Sequence, residues 1–162
     1  METVLTKAQA VIFDIDVVLA EKSPDRGYRA YDKVDLDKPV KETLRLLNYY
    51  ANKLDHPEIL FITGRKEYCR AMTIDWLVFQ SNKNDVTYTE DFDILGRGLS
   101  SYHFDNLFMR GDTDHRKSEI LKKEIYDNHI KDKYDVVAAF EDDPEVAQMY
   151  KKEGLFVFQV LR

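Results

Sequence analysis

The sequence predicts an α/β fold, a parallel sheet with helices on both faces. Three observations carry that prediction. Short apolar runs rich in β-branched and aromatic residues recur at 10–13, 59–62, 106–109, 134–140 and 155–160. Segments with helical spacing separate them, and such alternation implies parallel strands joined by helical crossovers. Polar residues also gather at the carboxyl ends of the runs, which is where ligands bind in sheets of this kind.

The first run, Ala10-Val11-Ile12-Phe13, leads into Asp14 and Asp16, and the strand reading extends to about Leu19. Residues two apart on a strand point to one side, so these carboxylates are expected to share a small region. Residues 20–38 have mixed charge, Ser23-Pro24, Gly27, Arg26 and Arg29, and no helical period. They predict a loop or short lid over the strand end. Asp37 is placed to cap the next helix, with Pro39 in its first turn. Val40, Leu44, Leu47, Ala51 and Leu54 form one apolar face, and His56-Pro57 ends it.

Ile59 to Ile62 form the second strand, which turns through Thr63-Gly64-Arg65 into a helix over about 66–80. Val86-Thr87-Tyr88 suggests a strand, Gly96 and Gly98 suggest turns, and Asn106 to Met109 read as a further strand. A charged loop, 110–116, precedes a helix opening at Lys117 and running to about Ile130, with Leu121 and Ile125 inward. The strand at 134–140 ends in Glu141-Asp142-Asp143. Pro144 suits a first helical position, Gly154 a C-cap, and 155–160 form the last strand. This is a Rossmann-like order.

Composition narrows the function classes. The 162 residues suffice for one full domain, and 44% hydrophobic with 33% charged content is ordinary for a soluble protein. No apolar run approaches the roughly 20 residues of a membrane span. Cys69 is the single cysteine, which excludes an intramolecular disulfide and disfavours a cysteine-built zinc site. A cytoplasmic setting fits. The net charge of −6 argues against an extended nucleic-acid-binding face, though not against a small basic mouth for one terminal phosphate.

Taken singly, each polar motif has an ordinary reading. Lys117 reads as a solvated helix-start lysine, Thr63-Gly64 as a strand-to-helix turn, and Glu141 to Asp143 as a capping cluster. Arg26, Arg65, Arg110 and Arg116 read as surface residues, and of the histidines only His115 lies near the proposed site. If the motifs converge, Asp14 with Asp142 or a neighbour would suit a divalent cation such as Mg²⁺, because its preferred ligands are hard oxygens. Phosphate is then the best-fitting substrate group. Thr63 would donate to a phosphate oxygen, and Lys117 would supply positive charge. Asp14 would attack phosphorus while Asp16 protonates the leaving oxygen and then activates water.

In that order the motifs resemble the haloacid dehalogenase (HAD) superfamily of phosphohydrolases. Asp14 and Asp16, Thr63, Lys117, and Glu141-Asp142 match its four motifs over about 10–160. A narrower likeness is to the 3′-phosphatase domain of phage-type polynucleotide kinase/phosphatase, carried by Met109-Arg110-Gly111-Asp112-Thr113, Arg116-Lys117, Lys123-Glu124-Ile125 and Glu141-Asp142-Asp143-Pro144. The resemblance implies one HAD-like domain over 1–162 with a small cap or none. It implies metal binding by Asp14, Asp16, Asp142 and Glu141, and substrate contact by Arg65, Gly64 and Arg26. Asp114 would orient Lys117.

The expected substrate is a nucleic-acid 3′-phosphate end or a nucleotide. No Walker-type phosphate loop is present, so a phosphatase without the kinase half is implied. Val17-Val18 stand where the family usually has Gly-Thr. That departure motivates an alternative, a catalytically silent module binding a phosphorylated ligand or a protein partner.

Overall fold

A computed structural model describes residues 6–27, 30–52, 57–83 and 101–161. Arg29, Leu54, His56, the 86–88 strand and the turns at Gly96 and Gly98 lie outside them. Strand β1 (Ala8–Phe13) is followed by β2 (Ala20–Glu21) and β3 (Lys38–Pro39), then helix α1 (Lys41–Asn52) and β4 (Glu58–Lys66). Helix α2 (Arg70–Lys83), β5 (Leu107–Arg110), α3 (Ser118–Ile125), β6 (Tyr134–Glu141), α4 (Pro144–Lys152) and β7 (Val157–Gln159) complete the order. The main sheet runs β5-β4-β1-β6-β7, every pairing parallel.

The period of two along β1 decides which helices cover which face. Val11 and Phe13 pack with Leu44, Leu47, Trp76 and Leu77, so α1 and α2 cover one side. Ala10 and Ile12 pack with Leu121, Ile125, Val146 and Tyr150, so α3 and α4 cover the other. Phe13 stacks on Phe140 with ring centroids 4.6 Å apart, tying β1 to β6 next to the acidic residues. Burying a side chain of that size contributes about 1.5–3 kcal/mol.

Several local expectations are corrected. The first strand stops at Phe13, and the chain then turns sharply: Leu19 and Ala20 N–H both donate to the Ile15 carbonyl at 2.8 Å. Val17 sits in that turn at φ 68, a left-handed conformation that a β-branched residue rarely adopts. Thr63-Gly64-Arg65 do not form a turn but continue β4 through an irregularity in its pairing with β5. Between β2 and β3, which pair antiparallel, lies a 3₁₀ segment at Tyr31–Leu36. Asp37 is no helix cap and Pro39 is not helical, because α1 starts at Lys41 and the Asp37 carboxylate is engaged elsewhere. Asp143 does cap α4, accepting from the Glu145 and Val146 N–H groups.

Candidate active site

Strand ends β1 and β6 and the buried side of α3 build the centre of the site. The Asp14 N–H donates to the Phe140 carbonyl at 3.0 Å, which fixes Asp14 beside the end of β6. Glu141 closes β6 and Asp142 follows it. On α3, Leu121, Lys122 and Ile125 are all buried, and one helix face holds positions i, i+1 and i+4. Lys122 extends its amine from that face to within 2.7 Å of both Asp14 Oδ1 and Glu141 Oε2.

Burial sets the protonation of this cluster. It pushes the Asp14 carboxyl up to about 7, with Lys122 pulling the other way and Glu141 and Asp16 adding to the rise. Burial likewise raises Glu141, and raises Asp142 to about 6 with the help of Asp14. For Lys122, burial disfavours the ammonium, but attraction to Asp14 and Glu141 wins and holds its pKa above the ordinary lysine value. Lys122 is therefore a cation locked in place.

A second polar group lies behind the first. Arg65 donates to the Asp16 carboxylate, through Nη2 at 2.9 Å and Nε at 3.2 Å, and its Nη2 also reaches Asp37 Oδ2 at 3.0 Å. Arg26 grips Asp37 through two N–H groups at 2.8 and 2.9 Å and lies 3.5 Å from Asp16 Oδ1. Both arginines and Asp37 are buried, while Asp16 is partly exposed. Among the described residues, Arg26 Nη1 is buried with no hydrogen-bond partner. An unpaired buried guanidinium donor is costly, so this atom retains an unused capacity to donate.

Thr63 is buried, and its hydroxyl accepts from the Arg65 N–H at 3.2 Å. That bond leaves the hydroxyl proton available for donation. The Gly64 carbonyl accepts from Arg110 Nε at 3.2 Å, so Gly64 also lies at this end of the sheet.

Three expectations need correction. Lys117 does not enter the cluster: its side chain is 69% exposed, 3.6 Å from Glu119 and 3.5 Å from Glu145. It is the N-cap residue of α3 and precedes the turn that faces the sheet. Lys122, one turn on, takes the place expected for it. Asp114 does not orient Lys117 but pairs with Arg116 at 2.7 Å and Arg110 at 3.6 Å. The Asp16 side chain does not join the acidic cluster, because the two arginines hold it. Sequence reading missed Lys122 although a signal existed, a lysine between the apolar inward positions Leu121 and Ile125. Asp37, the shared anchor of both arginines, carried no such signal.

Carboxylate oxygens of Asp14, Glu141 and Asp142 all lie within 4.8 Å of one another. Burial raises all three carboxyls although Lys122 pairs with two of them, and a divalent cation with oxygen preference would favour their ionised forms. The donor set fits such an ion.

This doubly wound sheet, with its acidic cluster at the strand ends, defines a HAD-type phosphatase. A family model, the phosphatase domain of polynucleotide kinase PNKP, matches residues 8–162, and the chain belongs to that family. It is 30% identical over 155 residues to a putative bifunctional polynucleotide kinase/RNA ligase of Autographa californica nuclear polyhedrosis virus, covering 95% of this chain and 20% of that one. A chain in the structure of the Pnkp1/Rnl/Hen1 RNA repair complex superposes with a TM-score of 0.72 at 26% identity, over 99% of this chain and 47% of that one. The class C acid phosphatase of Bacillus anthracis, solved with tungstate bound, shares the fold at a TM-score of 0.53 and 15% identity, over 97% and 68% of the two chains. The sequence thus spans a fifth of its curated relative and about half of the repair-complex chain. Among the described residues no helix is long and apolar enough to cross a membrane.

Proposed function

We propose that this phosphatase removes the terminal phosphate from a nucleic-acid 3′ end, through an aspartyl-phosphate on Asp14. The observation that carries the reading is the Asp14 carboxylate fixed between Lys122 and the acidic end of β6. Lys122 holds Oδ1, favours the ionised carboxylate against the effect of burial and leaves Oδ2 as the attacking atom. Attack forms the Asp14–phosphorus bond and breaks the bond to the ribose or deoxyribose 3′ oxygen. Asp16 delivers a proton to that oxygen as it leaves, and Arg65 and Arg26 orient its carboxylate. Asp16 then takes a proton from water, whose oxygen attacks phosphorus and frees both inorganic phosphate and the Asp14 carboxylate. Thr63, Arg26 Nη1 and Lys122 are the donors that steady the transferring group.

Asp14 and Asp142, with Glu141 beside them, would hold Mg²⁺. When bound, the ion supplies charge neutralisation at the phosphoryl oxygens. The likeness to a polynucleotide kinase/RNA ligase and to a chain of an RNA repair complex supports a nucleic-acid end over a free nucleotide. Val17-Val18 is the one feature that favours a silent module, yet Val17 adopts the left-handed turn that glycine would favour. Both carboxylates are retained, and the turn survives the substitution. Phosphate release from a 3′-phosphorylated oligonucleotide tests the reading: Asp14→Asn should abolish it with the fold intact by circular dichroism. Full turnover in that variant would remove Asp14 as nucleophile.

A further inference from the structure

Beside the proposed reaction centre lies a cleft of about 440 Å³ whose lining differs in charge from the chain as a whole. Acidic residues outnumber basic ones in the sequence, 30 to 24. Among the described residues, however, the cleft is lined by Lys66, Arg110, Arg116 and Lys117 against a single carboxylate, Asp114, which pairs with Arg116 and Arg110. Two aromatic rings, Tyr31 and Tyr68, flank these cations, and Tyr68 is 57% exposed.

The cleft and the reaction centre share structure at two points. Gly64, between Thr63 and Arg65, forms part of the cleft wall. Tyr31 lies under the Arg26 guanidinium, 5.8 Å from its ring centroid, and Arg26 in turn reaches Asp16. The walls are also braced. Lys66 Nζ donates to the carbonyls of Gly111, at 3.2 Å, and Asp112, at 3.0 Å, and also to that of Asp114. Arg110 donates to the Arg116 carbonyl at 2.6 Å. The Tyr68 N–H donates to Asp112 Oδ1 at 2.9 Å, which sets the tyrosine against the same loop. Lys66 and Arg110 therefore shape the cleft, whereas Tyr68 and Lys117 present exposed side chains beside it; Lys117 meets Glu119 and Glu145 only at 3.6 and 3.5 Å on the open surface, where such pairs are weak and a phosphate can compete for the ammonium.

Exposed aromatic faces interleaved with cations are what a single strand recognises: bases stack on the rings and phosphates pair with the cations. We infer that this cleft is a strand-binding subsite, where Tyr68 stacks a base next to the reacting 3′ end and Lys117 pairs with a backbone phosphate. The inference rests on the 3′-end reading and adds a preference for a strand over a mononucleotide. Stacking and one phosphate contact are sequence-tolerant, so the cleft discriminates by length and not by base.

Kinetics on p-nitrophenyl phosphate, a 3′-phosphorylated mononucleotide and a 3′-phosphorylated tetranucleotide test this. In the wild type, kcat/KM should rise from mononucleotide to tetranucleotide. Tyr68→Ala should cut the tetranucleotide-to-aryl-phosphate ratio of kcat/KM by about tenfold, through KM, and Tyr68→Phe should retain it. Lys117→Ala should lower the slope of log KM against log salt for the tetranucleotide by about 0.7. Wild-type ratios and salt slopes in both Tyr68→Ala and Lys117→Ala would overturn the subsite. If the wild type released no phosphate from any of the three, the reaction reading would fail by itself. Fluorescence anisotropy of the labelled tetranucleotide then decides the cleft: weaker binding by Tyr68→Ala supports it, and equal binding overturns it.

Discussion

Replacing Lys122 by methionine keeps the length of the side chain and removes its charge. In the wild type this ammonium lies 2.7 Å from two carboxylates, with all three side chains almost wholly buried. Removing one partner of a buried ion pair costs about 3–5 kcal/mol, because the other charge is left uncompensated. That is a large share of a typical domain stability of roughly 5–15 kcal/mol. The cost should depend on pH, since both carboxyls can escape it by taking a proton. Burial already lifts Asp14 from 3.8 to about 7, so between those values the folded protein holds more protons than the unfolded chain. Stability from this group is therefore full below pH 3.8 and is lost as pH rises through about 7. Without Lys122 the Asp14 carboxyl moves higher still, and the loss extends to more alkaline pH. Urea unfolding in the presence of a chelator should show Lys122→Met less stable by about 3–5 kcal/mol at pH 8, and by under half of that at pH 5. Equal destabilisation at both pH values, or none at pH 8, would refute the buried-triad reasoning.

Further predictions follow from neighbouring observations. At Val17, φ 68 reverses the usual order of helpful residues: Val17→Gly should be more stable than Val17→Ala by about 1 kcal/mol in urea unfolding, and the opposite order would remove the strain. Millimolar Mg²⁺ should raise the melting temperature of the wild type but not of Asp142→Asn. At a concentration of 100 times Kd the gain is about 2.7 kcal/mol, and an equal gain in both proteins would place the ion elsewhere.

Much of this architecture was legible because burial imposes a period. The alternation Ala10 and Ile12 against Val11 and Phe13 splits cleanly between the two faces of the sheet. Helix α4 announced itself through Asp143, Pro144 and Gly154, the last at φ 86. The site was legible less completely. Asp14, Glu141 and Asp142 lie at strand ends, where apolar runs stop, and that boundary is visible in sequence. Lys122 lies inside a helix beside three other lysines or arginines nearby in sequence, and only its phase relative to Leu121 and Ile125 separates it from Lys117 and Lys123. The Arg26–Asp37–Arg65–Asp16 network joins positions up to 49 residues apart through side chains alone, so no local pattern records it.

The most direct test of the central claim is a chemical trap at Asp14. Borohydride reduces an acyl phosphate, so quenching the enzyme with it during turnover of a 3′-phosphorylated oligonucleotide should convert Asp14 to homoserine, detected by peptide mass spectrometry. Homoserine at position 14, dependent on substrate, is the result expected. Steady phosphate release with Asp14 unmodified, or with the mark on another carboxylate, would contradict the assignment.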